Sequence, residues 1–255
     1  MNSVEVVVIN WKRPANVERI VAALKAQTED CTVTVCDCHP SAEFSLADAT
    51  LASVDRLYRW RHNCGAYNRY VPAGGYDHPY TLFLDDDMLP GLRCVEHFVR
   101  NAREIESFGV LGQLGRILPQ DGVYRYGEVP RGLAFVETDL VVRGYFVRTS
   151  NLWCVGKFRW MINYWDEPMQ EDDLLLCVSL RMCAGLGCYL TPHDPDVETL
   201  MNKEELSREH AVSMRGDHLD KRRDFLRRAV ACGWVPLRTR SDGREVASMI
   251  LTESQ

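Results

Sequence analysis

The chain has 255 residues, with 30 lysines and arginines against 36 aspartates and glutamates, for a formal charge of −6. Hydrophobic residues make up 46% and charged residues 26%, enough apolar side chain to offset ordering entropy, so a disordered chain is excluded. The acidic balance also speaks against a general nucleic-acid binder, which needs a basic surplus to neutralise phosphates.

Residues 4–9 (VEVVVI) form a β-branched apolar run typical of a strand buried on both faces. Pro14 stands where helix starts favour proline. Val17, Ile20, Val21 and Leu24 then follow on one helical face. Residues 31–37 (CTVTVCD) predict a second strand and 57–60 a short third. Residues 80–84 (YTLFL) predict a fourth, which runs straight into Asp85-Asp86-Asp87. Val95, Phe98, Val99 and Ala102 mark the next helix. This order predicts an α/β fold with a mostly parallel central sheet flanked by helices.

Residues 110–118 and 133–142 predict longer strands, separated by a turn at Gln120-Asp121-Gly122. Residues 153–165 are rich in aromatics. A helix is expected after Glu171-Asp172-Asp173, a strand over 187–191, and a mostly helical charged stretch over 203–230. There is no repeat and no linker, so a single domain over 1–255 is expected.

No run reaches the roughly 18 apolar residues of a membrane span. The first residues lack the basic start of a signal peptide. The expectation is a cytoplasmic protein, at most peripheral at a membrane, with its 10 cysteines reduced. Cys31, Cys36, Cys38 and His39 lack the usual zinc-site spacing, and buried thiols are the commoner state.

The aspartate triplet carries the first chemical signal. Carboxyl ends of parallel strands form the ligand crevice of an open α/β sheet. Three adjacent carboxylates there are costly unless a cation compensates them, and hard oxygen ligands suit Mg²⁺ or Mn²⁺. The competing reading is an acidic cap on the following helix.

Four segments together resemble a glycosyltransferase of the GT-A fold. They are the strand opening into Ile9-Asn10-Trp11-Lys12-Arg13-Pro14, the strand ending in Asp37, the stretch from Asn63 through Asn68-Arg69-Tyr70 to Asp85-Asp86-Asp87, and Glu171-Asp172 before an apolar helix. The third is similar to the exostosin-like branch (family 64) and to family 2 enzymes. The chain lacks the QxxRW motif of processive family 2 synthases. The resemblance implies a nucleotide-binding half over 1–90, an acceptor-binding half over 91–232 and a C-terminal tail over 233–255. It implies transfer of a sugar from a nucleotide-diphosphate donor, UDP or GDP, to a hydroxyl of a glycan or glycoconjugate acceptor.

The same resemblance assigns roles. Asn10, Lys12, Arg13, Asp37, Asn63, Arg69, Asp85 and Asp86 would bind the nucleotide sugar. Asp85, Asp87 and His193 would hold Mn²⁺ or Mg²⁺, with His210 and His218 as competing histidines. Asp172 would be the catalytic base, helped by Glu171. A carboxylate can take the proton of an acceptor hydroxyl in the transition state. Glu-Asp-Asp also reads as an acidic helix start, whose dipole would lower the pKa of a base placed there. Trp153, Trp160 and Trp165 would stack on acceptor sugars, with core packing as the alternative. Arg215, Lys221, Arg222 and Arg223 supply a diphosphate clamp or a solvated helix face. Direct displacement with Asp172 as base implies inversion at the anomeric carbon, whereas the exostosin-like likeness implies retention. Two other classes stay open: a non-catalytic binding module on the same fold, and a sugar-nucleotide pyrophosphorylase. The latter needs a glycine-rich phosphate loop, and residues 10–14 hold no glycine.

Overall fold

The first apolar run becomes strand β1 (Val4–Asn10), buried at every position. In the computed structural model residues 3–39, 41–63, 65–118, 129, 131–165, 168–203, 210–211 and 214–237 are described. Glu5 is the polar exception inside β1. It accepts from Thr34 Oγ1 at 2.6 Å and pairs with Arg56 at 3.0 Å, which is what a buried carboxylate needs. Pro14 opens α1 (Pro14–Lys25), whose apolar stripe is buried as its spacing predicts. Then come β2 (Cys31–Asp37), α2 (Asp48–Ser53), β3 (Arg56–Arg59), β4 (Tyr80–Leu84), β5 (Met88–Pro90) and α3 (Cys94–Glu104).

The second half carries β6 (Val110–Gly112), β7 (Gly115–Arg116), β8 (Val136–Thr138), β9 (Leu140–Val141), β10 (Gly144–Arg148), α4 (Trp153–Met161), α5 (Asp172–Ala184), β11 (Cys188–Leu190), β12 (Met201–Lys203) and α6 (His218–Ala231). One eight-stranded sheet runs in the order β3-β2-β1-β4-β10-β6-β11-β8. β1 to β4 are parallel along it. β10 runs antiparallel between β4 and β6, β11 is parallel to β6, and β8 closes the edge antiparallel.

Alternate residues of the central strands feed two cores. Val6, Val8, Leu82 and Phe146 meet α1 and α3 on one face, where Phe98 stacks on Phe146 at 5.2 Å. Val7, Ile9, Phe83 and Tyr145 meet α4, α5 and α6 on the other. This is the period-two reading of strands buried on both faces.

Three expectations need correction. The long strands over 110–118 and 133–142 are each broken. Gln113 splits the first, its side chain donating to Thr199 O at 2.7 Å and accepting from Met201 N at 2.9 Å. Second, β10 lies at the centre of the sheet and has no counterpart among the predicted strands. Its five residues follow, after Arg143, an apolar stretch read as a separate strand. Third, the aspartate triplet does not cap a helix. The chain after Asp87 enters β5, and α3 begins only at Cys94 with Arg93 as its N-cap. The turn at Gln120-Asp121-Gly122 lies outside the described residues. Over 203–230, the helical segment of appreciable length among the described residues is α6. None of the described helices is long and apolar enough to cross a membrane.

Candidate active site

Parallel β1 and β4 end side by side, so their carboxyl ends deliver Trp11, Arg13 and Asp85–Asp87 to one cleft. The start of α5 faces them with Asp172 and Asp173. The cavity between has a volume of about 570 Å³.

Two arginines hold these carboxylates together. Arg69, fully buried in a 3-10 segment (Ala66–Gly75), donates through Nη2 to Asp85 Oδ1 at 2.7 Å, and its Nε lies 3.5 Å from Asp172 Oδ2. Tyr76 O–H donates to the Arg69 carbonyl at 2.8 Å and fixes that segment. Arg13 Nη1 bonds Asp86 Oδ1 and lies 3.5 Å from Asp87 Oδ2. Much of the compensation that the triplet requires thus comes from the protein itself. Asp86 is buried, and burial pushes its carboxyl up from the ordinary value despite Arg13. The Asp87 side chain, 25% exposed, faces the cleft.

Asp172 departs from the dipole expectation. Burial, then the carboxylates of Asp85 and Asp173, push its pKa up to about 7, against the opposing pull of Arg69 and Arg222. Desolvation of a charge outweighs the partial charge of a helix end. Asp173 is held by Arg222 of α6 through two bonds of 2.9 and 2.6 Å. Arg222 is therefore a buried partner of the site and not part of a solvated helix face.

Several assigned residues do not line the cleft. Glu171 is fully buried, accepting from Tyr164 O–H at 3.0 Å and from Gln170 N at 3.1 Å. Asn10 lies beneath the cleft, its amide donating to Asp37 Oδ1 and to Phe44 O, both at 3.0 Å. Lys12 extends over the rings of Trp11 and Phe44. Asn63 does line the cleft, and its Oδ1 accepts from Gly65 N at 2.8 Å. Trp153, Trp160 and Trp165 are 54%, 71% and 53% exposed and stand away from the cavity. Helical spacing turns the first two outward while Cys154, Val155 and Phe158 take the core. His193 is exposed on the loop after β11, and the histidines that line the cavity are His210 and His218. Among the described residues, the one trio of His, Cys, Asp or Glu with ligand atoms within 4.8 Å is Glu5, Asp77 and His78, away from the cleft.

Arg116, Arg143 and Tyr145 also line the cleft and were not singled out from sequence. They come from β7, β10 and the turn before β10, the region where the strand reading failed. Their side chains carry no spacing signal.

Gly65 shapes the wall. Its φ is 79°, and a Cβ there would lie 2.0 Å from the Met169 carbonyl oxygen. The close approach ties the loop before Arg69 to the loop before Asp172. Gly65→Ala is expected to cost about 3 kcal/mol or more, seen as a melting temperature lower by roughly 6–12 °C.

No family model matches the chain, and no curated protein matches it. Solved structures do. The chain is similar to the crystal structure of S. aureus TarS 1–349 in complex with UDP, with 14% identity, 75% of this chain and 61% of that one covered, and a TM-score of 0.50. The same TarS fragment in complex with UDP-GlcNAc matches at 15% identity over 77% and 60% of the two chains, with a TM-score of 0.49. Against S. aureus TarS the figures are 15%, 75%, 37% and 0.49, so the chain spans little more than a third of that protein. The likeness is one of fold, and the fold is the α/β GT-A arrangement.

Proposed function

We propose that this chain transfers a sugar from a nucleotide-diphosphate donor, UDP-linked by preference, to a hydroxyl acceptor. The observation that carries the reading is the meeting of Asp85–Asp87 with Asp172 across one cavity, with Arg69 between the two groups. The UDP bound in the similar TarS structure supports the choice of base.

In this mechanism Asp172 accepts the acceptor hydroxyl proton as that oxygen attacks the anomeric carbon. The bond from that carbon to the diphosphate oxygen breaks, and its electron pair leaves with the nucleoside diphosphate. The product is inverted. A carboxylate whose pKa stands near 7 is matched to that proton transfer near neutral pH. Arg69 orients Asp172 and Asp85 together. Glu171 acts from behind, by fixing the chain that enters α5.

The donor set fits a divalent cation of the Mg²⁺ or Mn²⁺ kind. Such ions need only one or two protein carboxylates when phosphates and water complete the shell. Asp87, open to the cleft, would hold it with Asp85. When bound, it would offset charge on the departing diphosphate.

A thermal-shift panel of UDP- and GDP-sugars with Mn²⁺, Mg²⁺ or EDTA tests the reading. UDP with Mn²⁺ at about 100 times its Kd should raise stability by about 2.7 kcal/mol, or roughly 5–10 °C. Asp87→Asn should remove the metal-dependent part and keep the shift seen in EDTA. A folded protein that no nucleotide shifts would sink the proposal.

A further inference from the structure

One side chain of the cleft is held on a backbone that its own chemistry disfavours. Arg143 has φ 73°, the left-handed region that favours glycine. The bend is clamped from both sides. Val142 N–H donates to Leu114 O at 3.0 Å, and Gly144 pairs with Leu84 in the β4–β10 ladder. A Cβ on Gly144 would lie 2.6 Å from the Met201 sulfur, so a larger residue there would require the end of the Met201 side chain to move.

That register places Arg143 next to the carboxyl end of β4, across from Asp85. Its side chain lines the same cavity. The arginines around it are engaged: Arg69 with Asp85, Arg13 with Asp86, Arg222 with Asp173 and Arg215 with Asp217. Among the described residues no carboxylate lies within ion-pairing distance of Arg143. A strained backbone at an arginine that pairs with no protein acid is the kind of outlier from which a function is inferred. A planar guanidinium matches a two-oxygen anion.

We infer that Arg143 is the receptor for an oxyanion, phosphate or carboxylate, carried by the substrate in this cleft. The inference rests on the nucleotide-sugar reading for the location of the substrate. It adds that the ligand presents an acidic group at the tip of β10. That group is either the donor diphosphate or an acid on the transferred sugar or acceptor.

The test compares wild type with Arg143→Gly and Arg143→Lys by melting and by calorimetric titration. The probes are inorganic pyrophosphate, UDP, UDP-glucose, UDP-glucuronate and glycerol 1-phosphate. Glycine relieves the left-handed strain, so Arg143→Gly should melt about 2 °C above wild type. It should bind the relevant anion about tenfold or more weakly, with Arg143→Lys in between. Loss for pyrophosphate and UDP alike identifies the donor diphosphate. Loss confined to UDP-glucuronate identifies an acid on the sugar, and loss confined to glycerol 1-phosphate an acid on the acceptor. Unchanged binding of every probe overturns the inference, as does a lower melting temperature for Arg143→Gly, which would make the strain part of the fold. A wild-type protein that takes up none of the probes overturns it too. Wild type that binds pyrophosphate through Arg143 but no uridine compound would leave the inference standing and overturn the nucleotide-sugar reading.

Discussion

Asp172→Asn is expected to lower kcat by about 100- to 10,000-fold, the usual contribution of a general base. UDP should still raise the melting temperature of the variant, because Asp87 and the β1 end of the cleft are untouched. The asparagine keeps the size of the side chain and removes only its ability to take a proton. A variant that unfolds would show instead that Asp172 serves α5 as a helix-start residue. A variant with unaltered turnover would remove Asp172 from the chemistry.

The pH dependence follows from the direction of the shift. The folded pKa of Asp172 is raised from 3.8 to about 7, so between those values the folded state binds more protons than the unfolded chain. Stability from this group is therefore fully present at low pH and declines as pH rises through that window. Activity runs the other way, since the base works only when deprotonated, so wild-type kcat should climb through about pH 7. Asparagine does not titrate. The melting temperature of Asp172→Asn relative to wild type should thus increase from about pH 5 to about pH 8. A flat difference across that range would mean that the carboxylate carries no burial cost.

The same residue shows what a sequence can and cannot disclose. YTLFL running into three aspartates states both the strand and its chemistry, because a buried strand and an acidic end are local patterns. So does the apolar helix behind Glu171-Asp172-Asp173. The pKa of Asp172 is not local. It arises from burial first, with the carboxylate of Asp85 pushing the same way and Arg69 and Arg222 opposing, groups brought from other parts of the chain. The tryptophans illustrate a related limit. Their number is visible, but which way α4 turns them is decided by Cys154, Val155 and Phe158 claiming the core. His193 stands after the last predicted strand, an attractive position in sequence, yet the cavity takes His210 and His218. β10 stayed hidden because five residues carry too little periodicity to separate them from the run before.

Arg222→Ala should be the most destabilising single change at the site. Asp173 is buried, and its carboxylate is held by both terminal nitrogens of Arg222, at 2.9 and 2.6 Å. Removing one member of a buried pair leaves the other charge uncompensated, a cost of about 3–5 kcal/mol. For a chain of this size that is a fall of roughly 6–20 °C in melting temperature. Asp173→Asn in the Arg222→Ala background should recover part of the loss, since a neutral amide costs less to bury than a lone carboxylate. An Arg222→Ala protein that melts like wild type would show the pair to be solvated and α6 to be held by Phe225 and Leu226 alone. The pair has consequences for function because Asp173 adjoins Asp172. α6 anchors the first turn of α5 through it, and so holds the proposed base against Arg69.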